Sequence, residues 1–511
     1  MMEQLSLYTY IFTFISLSLW FLNKNHNELR LVFGKLFLAS LSCYSLLFVL
    51  IPSAQISYTE FAIQLLFLFF GGFFLNTFSA NKFVFLPLLT LFVCGIFVGQ
   101  NNFKIPYFST VLDQNLQAAN PDNELLLELK EGHVPTELQS LINQYQLKFK
   151  PAFYPKETDN TDLDDYYLVD IPKDQLINYP SLLKSLENHQ LVDHVEVNEI
   201  IKLDPFESEE SPAMDGTQNA YANDPEIGKL WGFEAMQVES LYARLEKEKI
   251  KPKKKAKIAI IDTGVDGFHE DIKGNFESVG ARHNIDEQGH GTHCAGIAAA
   301  VSNNRIGIAS FAPNQAFVTV TSVKVFGKFG STTQKKIIEG MLLAVDNGAD
   351  VLSMSLGGPA TGKARRAYRQ AVKYAQNKGA IVVVAAGNEN TDAARKVPAS
   401  VDGVITVSAI YNQINKASFS NYVSNVKMGI AAPGVQIYSS IPANKYAFYN
   451  GTSMATPYVA GLLGLMKSIR PELDTKEAYR ILKASGKSTN DDELTGKLIQ
   501  PAAALNVLLK K

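Results

Sequence analysis

Cysteine is nearly absent from this 511-residue chain: only Cys43, Cys94 and Cys294 occur. The first two lie in apolar runs, so no intrachain disulfide staples the polar remainder, and cysteine usage leaves the compartment open. A basic excess is missing too. With 48 Lys and Arg against 50 Asp and Glu, the net charge of −2 excludes the basic domain a nucleic-acid binder carries. Charge of either sign is scarce over the first hundred residues, whereas the rest has an ordinary soluble composition.

Four apolar runs fill that charge-poor stretch, at roughly 5–22, 31–51, 61–78 and 83–99. Each is near the ~20 residues needed to cross a hydrocarbon core. Three lack Asp, Glu, Lys and Arg, and the second holds only Lys35, close enough to its end to snorkel. They predict an all-α region of four membrane spans over 1–100, with the lipid bilayer as a partner. The first run lacks a basic n-region and a small-residue cleavage site, so it does not read as a removable signal peptide. Lys24, Arg30 and Lys82 fall in the first and third connectors, while the N-terminus and connector 52–60 have no Lys or Arg. That bias predicts both ends of the bundle outside and everything after it extracytoplasmic, with Lys104 a mild counter-signal. No ionisable groups face one another, and Gln64, Gly71-Gly72 and Asn76 suit helix packing. The bundle reads as an anchor, with sensing or substrate binding as the alternative.

Residues 101–123 are polar and read as a tether. From 124 to 203 the pattern predicts strands at 125–129, 147–150, 166–171 and 192–197, with helices near 135–143 and 182–186. That β-α-β-β-α-β order suggests a small α+β ferredoxin-like domain. Residues 204–223, rich in Asp, Glu, Ser and Pro, read as a mobile linker. The five lysines of 251–257 read as a solvated face. Beyond them apolar, mostly β-branched runs at 258–261, 318–320, 351–354 and 381–384 alternate with helical patterns such as 333–347 and 363–378. Continuous apolar strands between amphipathic helices predict a doubly wound, mostly parallel α/β sheet over 224–511. Sites in such sheets collect at the carboxyl ends of strands, where Asp262 and Asn388 fall.

Three motifs follow in order: Asp262-Thr263-Gly264, His290-Gly291-Thr292-His293-Cys294-Ala295-Gly296 and Gly451-Thr452-Ser453-Met454-Ala455-Thr456-Pro457. A serine hydroxyl needs a base to take its proton, and the base needs a carboxylate to fix its tautomer. The trio therefore predicts a serine hydrolase. Together with Ala386-Gly387-Asn388, these motifs resemble the signatures of the subtilisin-like serine proteases over about 220–510. Cys294 after the second histidine resembles the proteinase K-like branch. The 124–203 domain, ending in Val195-Glu196-Val197-Asn198, resembles that family's inhibitory, chaperone-like propeptide, which makes it an intramolecular partner.

The resemblance implies a role for each matching residue. Ser453 would attack the scissile carbonyl, His290 would serve as general base and then acid, and Asp262 would orient the imidazole. Asn388 would donate its amide to the oxyanion. His293 is read as structural. Ser355, Leu356 and Gly357 resemble one substrate-pairing edge and Gly330 the opposite edge. Ala385 and Gly387 would leave a roomy pocket for a broad or apolar residue before the cut. No cofactor is required for the chemistry. Asp271 matches a calcium-binding carboxylate and Asn304 a ligand on the following loop, although that loop is one residue longer and carries Arg305; a metal-free loop is the alternative. The function expected is a membrane-anchored, autoprocessed endopeptidase acting on proteins or peptides. The competing reading is a membrane scaffold or sensor with a non-cutting, peptide-binding domain.

Overall fold

The computed structural model describes residues 27–50, 124–159, 161–204, 221–360 and 365–510, with positions 13, 16, 17 and 20 before them. It divides into two compact units, Met1–Asn115 and Leu116–Lys511. In the first, helix Asn27–Leu50 covers nearly all of the second apolar run. The Trp20 ring stacks on Phe37 at 6.2 Å, and the Arg30 guanidinium lies 5.8 Å from the Trp20 ring centre. The third and fourth runs, most of the first, and the 101–123 tether lie outside the described residues. Among the described residues, no helix is long and apolar enough to cross a membrane.

The second unit opens with strands β1 (Glu124–Leu129), β2 (Lys148–Pro151), β3 (Tyr166–Asp170) and β4 (Val192–Val197). Helices Gln139–Tyr145 and Tyr179–Glu187 fall between the first pair and the last pair. All neighbours pair antiparallel, in the order β2-β3-β1-β4. Strand β1 has an almost unbroken apolar sequence because both of its faces are covered. Leu125, Leu127 and Leu129 pack on this domain's own two helices, whereas Leu126 joins the core of the larger domain.

That larger domain is built on a six-stranded, wholly parallel sheet. Its strands are β6 (Ala256–Asp262), β7 (Val318–Lys324), β9 (Val351–Met354), β11 (Ile381–Ala385), β13 (Val404–Ile410) and β14 (Gly429–Pro433). Their order is β14-β13-β11-β9-β6-β7. Successive side chains of a strand point to opposite faces, and the two cores divide accordingly. Ile258, Ile260, Val351, Ile381 and Val383 pack with helices His290–Ala299 and Thr452–Ile469. Ala259, Ile261, Leu352, Val382 and Val384 pack with helices Gln334–Asp346 and Arg366–Asn377. Smaller pairings complete it: β5 (Ile200–Lys202) with β8 (Ser331–Thr333), β10 (Gly358–Pro359) with β12 (Lys396–Val397), and β15 (Ile437–Ile441) with β16 (Lys445–Tyr449).

The β1–β4 sheet lies on the second helix pair. Leu126, Phe153, Leu163 and Tyr166 are fully buried there. The first-turn amides of the Gln334 helix, orphaned by helix geometry, find partners across this junction: Gln334 N donates to Glu199 O at 2.8 Å and Lys335 N to Asn198 Oδ1 at 2.9 Å. Ala367 N of the next helix donates to Glu196 Oε1 at 3.3 Å, and Arg366 Nε pairs with Glu128 Oε2 at 2.6 Å. Of the segment read as a linker, 204–223, residues 205–220 lie outside the described residues. Asp204 is held in the cleft described below, and at the other end the Tyr221 ring packs edge-on against Tyr242 at 5.6 Å.

Candidate active site

Asp262 ends β6, and His290 opens the Gly291-containing helix that returns beneath it. The two elements come unusually close: a Cβ on Gly291 would lie 2.0 Å from Gly264 O, so only glycine fits. Gly264 itself has φ +118, a conformation that strains other residues. This closeness puts His290 Nδ1 2.7 Å from Asp262 Oδ1, both side chains fully buried. Thr263 N also donates to Asp262 Oδ1 at 2.7 Å, fixing the carboxylate's rotation. Burial would lower the His290 pKa, but the Asp262 carboxylate more than offsets it, helped by Asp286 and Asp204. The imidazole is therefore held above its usual range.

Asp286, four residues before His290, was not singled out in the sequence. It is buried and accepts five hydrogen bonds, from Thr263 Oγ1, Gln288 N, Gly289 N, Thr292 N and Thr292 Oγ1. Thr263 Oγ1 in turn accepts from Gly291 N at 2.9 Å. One carboxylate thus ties the Asp262 turn to the His290 helix.

Ser453 sits in the first turn of helix Thr452–Ile469, beyond Gly451. Its Oγ donates to Ser355 O at 3.3 Å. The Ser355 hydroxyl and the Cys294 thiol both reach Ser453 O, at 2.7 and 3.5 Å. Burial pushes the Cys294 thiol well up, so it stays protonated under the triad. His293 Nε2 donates to Ala447 O, 3.1 Å away, and the ring stacks on Tyr449 at 4.4 Å. Burial brings its pKa down to about 3, so its ring is neutral and structural.

Asn388 lies three residues beyond β11, against the helix start. Its Oδ1 accepts from Thr452 N and Thr452 Oγ1, both at 2.9 Å. Those bonds fix the amide so that Nδ2 faces the cleft. There it donates to Asp204 Oδ2 at 2.9 Å. The segment carrying Asp204 is paired like an added strand: Ile200, Ile201 and Lys202 face Thr333, Thr332 and Ser331, and Leu203 N donates to Gly330 O at 2.8 Å. Ile201 is buried against Gly358 on the other side. Asp204 shares a small cavity with Ser453, Leu356, Gly357, Ala385 and Gly387. Ser453 and the predicted substrate-binding residues Ser355, Leu356, Gly357, Ala385 and Gly387 thus line one cavity, with Asn388 and Gly330 bound to the same docked segment through Asp204 and Leu203. Beyond Asn388, a groove of about 860 Å³ opens past Trp231, Tyr411, Phe419 and Asn450.

Glu389 and Lys396, which the sequence reading missed, border the same small cavity and form an ion pair. Glu389 directly follows Asn388 and was findable from that position; nothing in the local pattern marks Lys396.

Asp271 and Asn304 lie apart from this cleft's chemistry but touch each other. Asn304 Nδ2 donates to Asp271 Oδ1 and Ile308 N to Asp271 Oδ2, each at 2.8 Å. Asp224, also missed, accepts from Asn303 N and Asn304 N at 2.9 and 3.1 Å. The loop turns through Asn303 and Arg305, with φ of 61 and 64. Burial raises Asp271 to about 7, and neighbouring Asp224 adds to the shift. Asp271 and Asp224 are two buried carboxylates whose oxygens are of the hard type calcium takes, while Asn304 turns Nδ2 to Asp271 and its Oδ1 accepts from Ile306 N at 2.6 Å.

A buried acid, an imidazole fixed on it, a serine at a helix start and an amide facing the cleft make this a serine hydrolase site. The family model described as "Subtilase family" (Peptidase_S8) matches residues 253–497. Thermitase of Thermoactinomyces vulgaris is 46% identical over 220 residues, 42% of this chain and 75% of that protein. Subtilisin DY of Bacillus licheniformis is 40% identical over 256 residues, 48% of this chain and 90% of that protein. A thermophilic serine proteinase of Bacillus sp. strain AK1 is 37% identical over 298 residues, 57% and 67% of the two chains. The chain belongs to the subtilase family, and it is a serine-type endopeptidase.

Proposed function

We propose that this endopeptidase is anchored in a membrane by the four apolar runs of 1–100, with its catalytic domain on the extracytoplasmic side, and is held inactive by residues 124–204. The observation that carries the inhibition is the Asp204 carboxylate bound to the Asn388 amide, because that donor is the one the oxyanion needs. The Leu203 N bond to Gly330 O and the Asp204 contact with Asn388 support reading Asp204 as the residue before a would-be cut, with Pro205 next in sequence. Proline brings a rigid ring and no amide hydrogen to the leaving side, so the docked bond resists cleavage. Maturation then requires a cut further along the linker, in 206–223.

Membrane fractionation with N-terminal sequencing tests both halves of this reading. Full-length protein should stay in alkaline-washed membranes, and active enzyme should be soluble with a new terminus between 206 and 223. Full-length protein in the soluble fraction would refute the anchor; a terminus at Pro205 would refute the uncut docked bond.

Ala385, Ala386 and Gly387 present only small, uncharged groups to the residue before the cut, and strand-like pairing tolerates many sequences. Broad specificity follows. Asp271, Asn304 and Asp224 would hold a structural calcium ion, whose charge offsets their mutual repulsion. At 100 times its dissociation constant such an ion adds about 2.7 kcal/mol, which for a domain of this size raises Tm by roughly 5–10 °C. A chelator should reverse that shift, and Asp271→Asn should lose it. An identical Tm with calcium and with chelator would remove the metal from the account.

A further inference from the structure

The two charges bordering the inner cavity are not equivalent. Glu389 is engaged twice, pairing with Lys396 through Oε1 and accepting from Asn421 Nδ2 at 2.8 Å through Oε2. Burial works against its ionisation, yet Lys396 and Asn421 hold its carboxyl below the usual range. Lys396 has three ammonium donors, of which the contacts among the described residues use one. Its side chain is only 16% exposed, so a further anion beside it is poorly screened.

We propose that Lys396 is a specificity-determining residue that extends the enzyme's breadth to acidic side chains, so that it cuts after glutamate and disfavours lysine and arginine. The proposal rests on the docked segment lying as a substrate lies, with Asp204 as the residue before the cut. An incoming carboxylate can take up the remaining ammonium donors without breaking the Glu389 pair. An incoming ammonium has no comparable place, because it meets the Lys396 cation and finds the Glu389 charge already compensated by it, and displacing Lys396 would leave a half-dry cation unpaired. The docked chain itself presents an acid here. Burial and Glu389 push the Asp204 carboxyl up, while Asn388, Lys396 and His290 oppose them. Aspartate is short and is caught by Asn388 Nδ2; glutamate, one methylene longer, extends further into the cavity shared with Lys396. The like charge of Glu389 limits the gain.

The test uses linker-cut enzyme, its active sites counted by fluorophosphonate titration, and three peptides that differ only in Glu, Leu or Lys before the cut. In Lys396→Met the Glu/Leu ratio of kcat/KM should fall about tenfold, equivalent to about 1.4 kcal/mol, while the Lys/Leu ratio rises. Lys396→Arg, which keeps the charge, should retain most of the Glu/Leu ratio. An unchanged Glu/Leu ratio in Lys396→Met, with Leu still cleaved, overturns the proposal. A wild type that cleaves none of the peptides and takes up no fluorophosphonate overturns both the proposal and the active-enzyme reading beneath it.

Discussion

Ser453→Ala should lower kcat on an unfolded protein substrate by about 10⁶, the scale found when a subtilisin itself loses its serine nucleophile. The size follows from the geometry. His290 Nδ1 is fixed on Asp262 at 2.7 Å and the ring is buried, which leaves Nε2 as the base for the serine proton. Without the hydroxyl, that prepared base has no nucleophile to activate, and residual rate comes from binding and the oxyanion donors alone. The fold should survive. Among the described residues the Ser453 hydroxyl makes one hydrogen bond, at 3.3 Å to Ser355 O, so its removal costs on the order of 1 kcal/mol. A loss of activity with an unfolded variant would therefore be uninformative about mechanism, whereas a folded variant retaining hydrolysis would contradict it.

Asn388→Leu should reduce kcat about 10²–10³-fold with little change in KM, a magnitude taken from the corresponding loss in a subtilisin. The amide's donor acts on charge that develops only in the transition state, so the ground-state complex is hardly affected. The same substitution removes the Asp204 contact, so inhibition by the docked segment should weaken alongside catalysis. A purely structural role for Asn388, holding Thr452 through its oxygen, predicts a lower Tm and no separate loss of kcat. Steady-state kinetics of linker-cut enzyme, paired with thermal unfolding, distinguish the two.

The triad was legible because its residues are embedded in motifs whose small neighbours have a geometric purpose. Gly291 and Gly264 are glycines because the His290 helix touches the Asp262 turn there. The parallel sheet was legible because strands buried on both faces are apolar throughout, as in Ile381–Ala385. The shorter pairings from β10 onward were less visible, since strands of two to five residues leave too little pattern. Asp286 and Asp224 escaped for another reason. An isolated aspartate in a loop looks solvated, and only the folded backbone shows the amides that surround it. Asp204 was assigned to a linker because composition reports solubility, while register on Gly330 depends on a strand pairing more than a hundred residues away in sequence. The Lys396–Glu389 pair arises from the fold in the same way.

Fluorophosphonate labelling, mapped to the modified residue before and after the linker is cut, tests the central claim most directly. The account predicts slow labelling of the intact chain, rapid stoichiometric labelling of Ser453 once the linker is cut and the docked segment leaves, and none in His290→Ala. Equal labelling before and after the cut would contradict inhibition by the docked segment. A linker-cut, folded protein that leaves Ser453 unlabelled would contradict the active site itself.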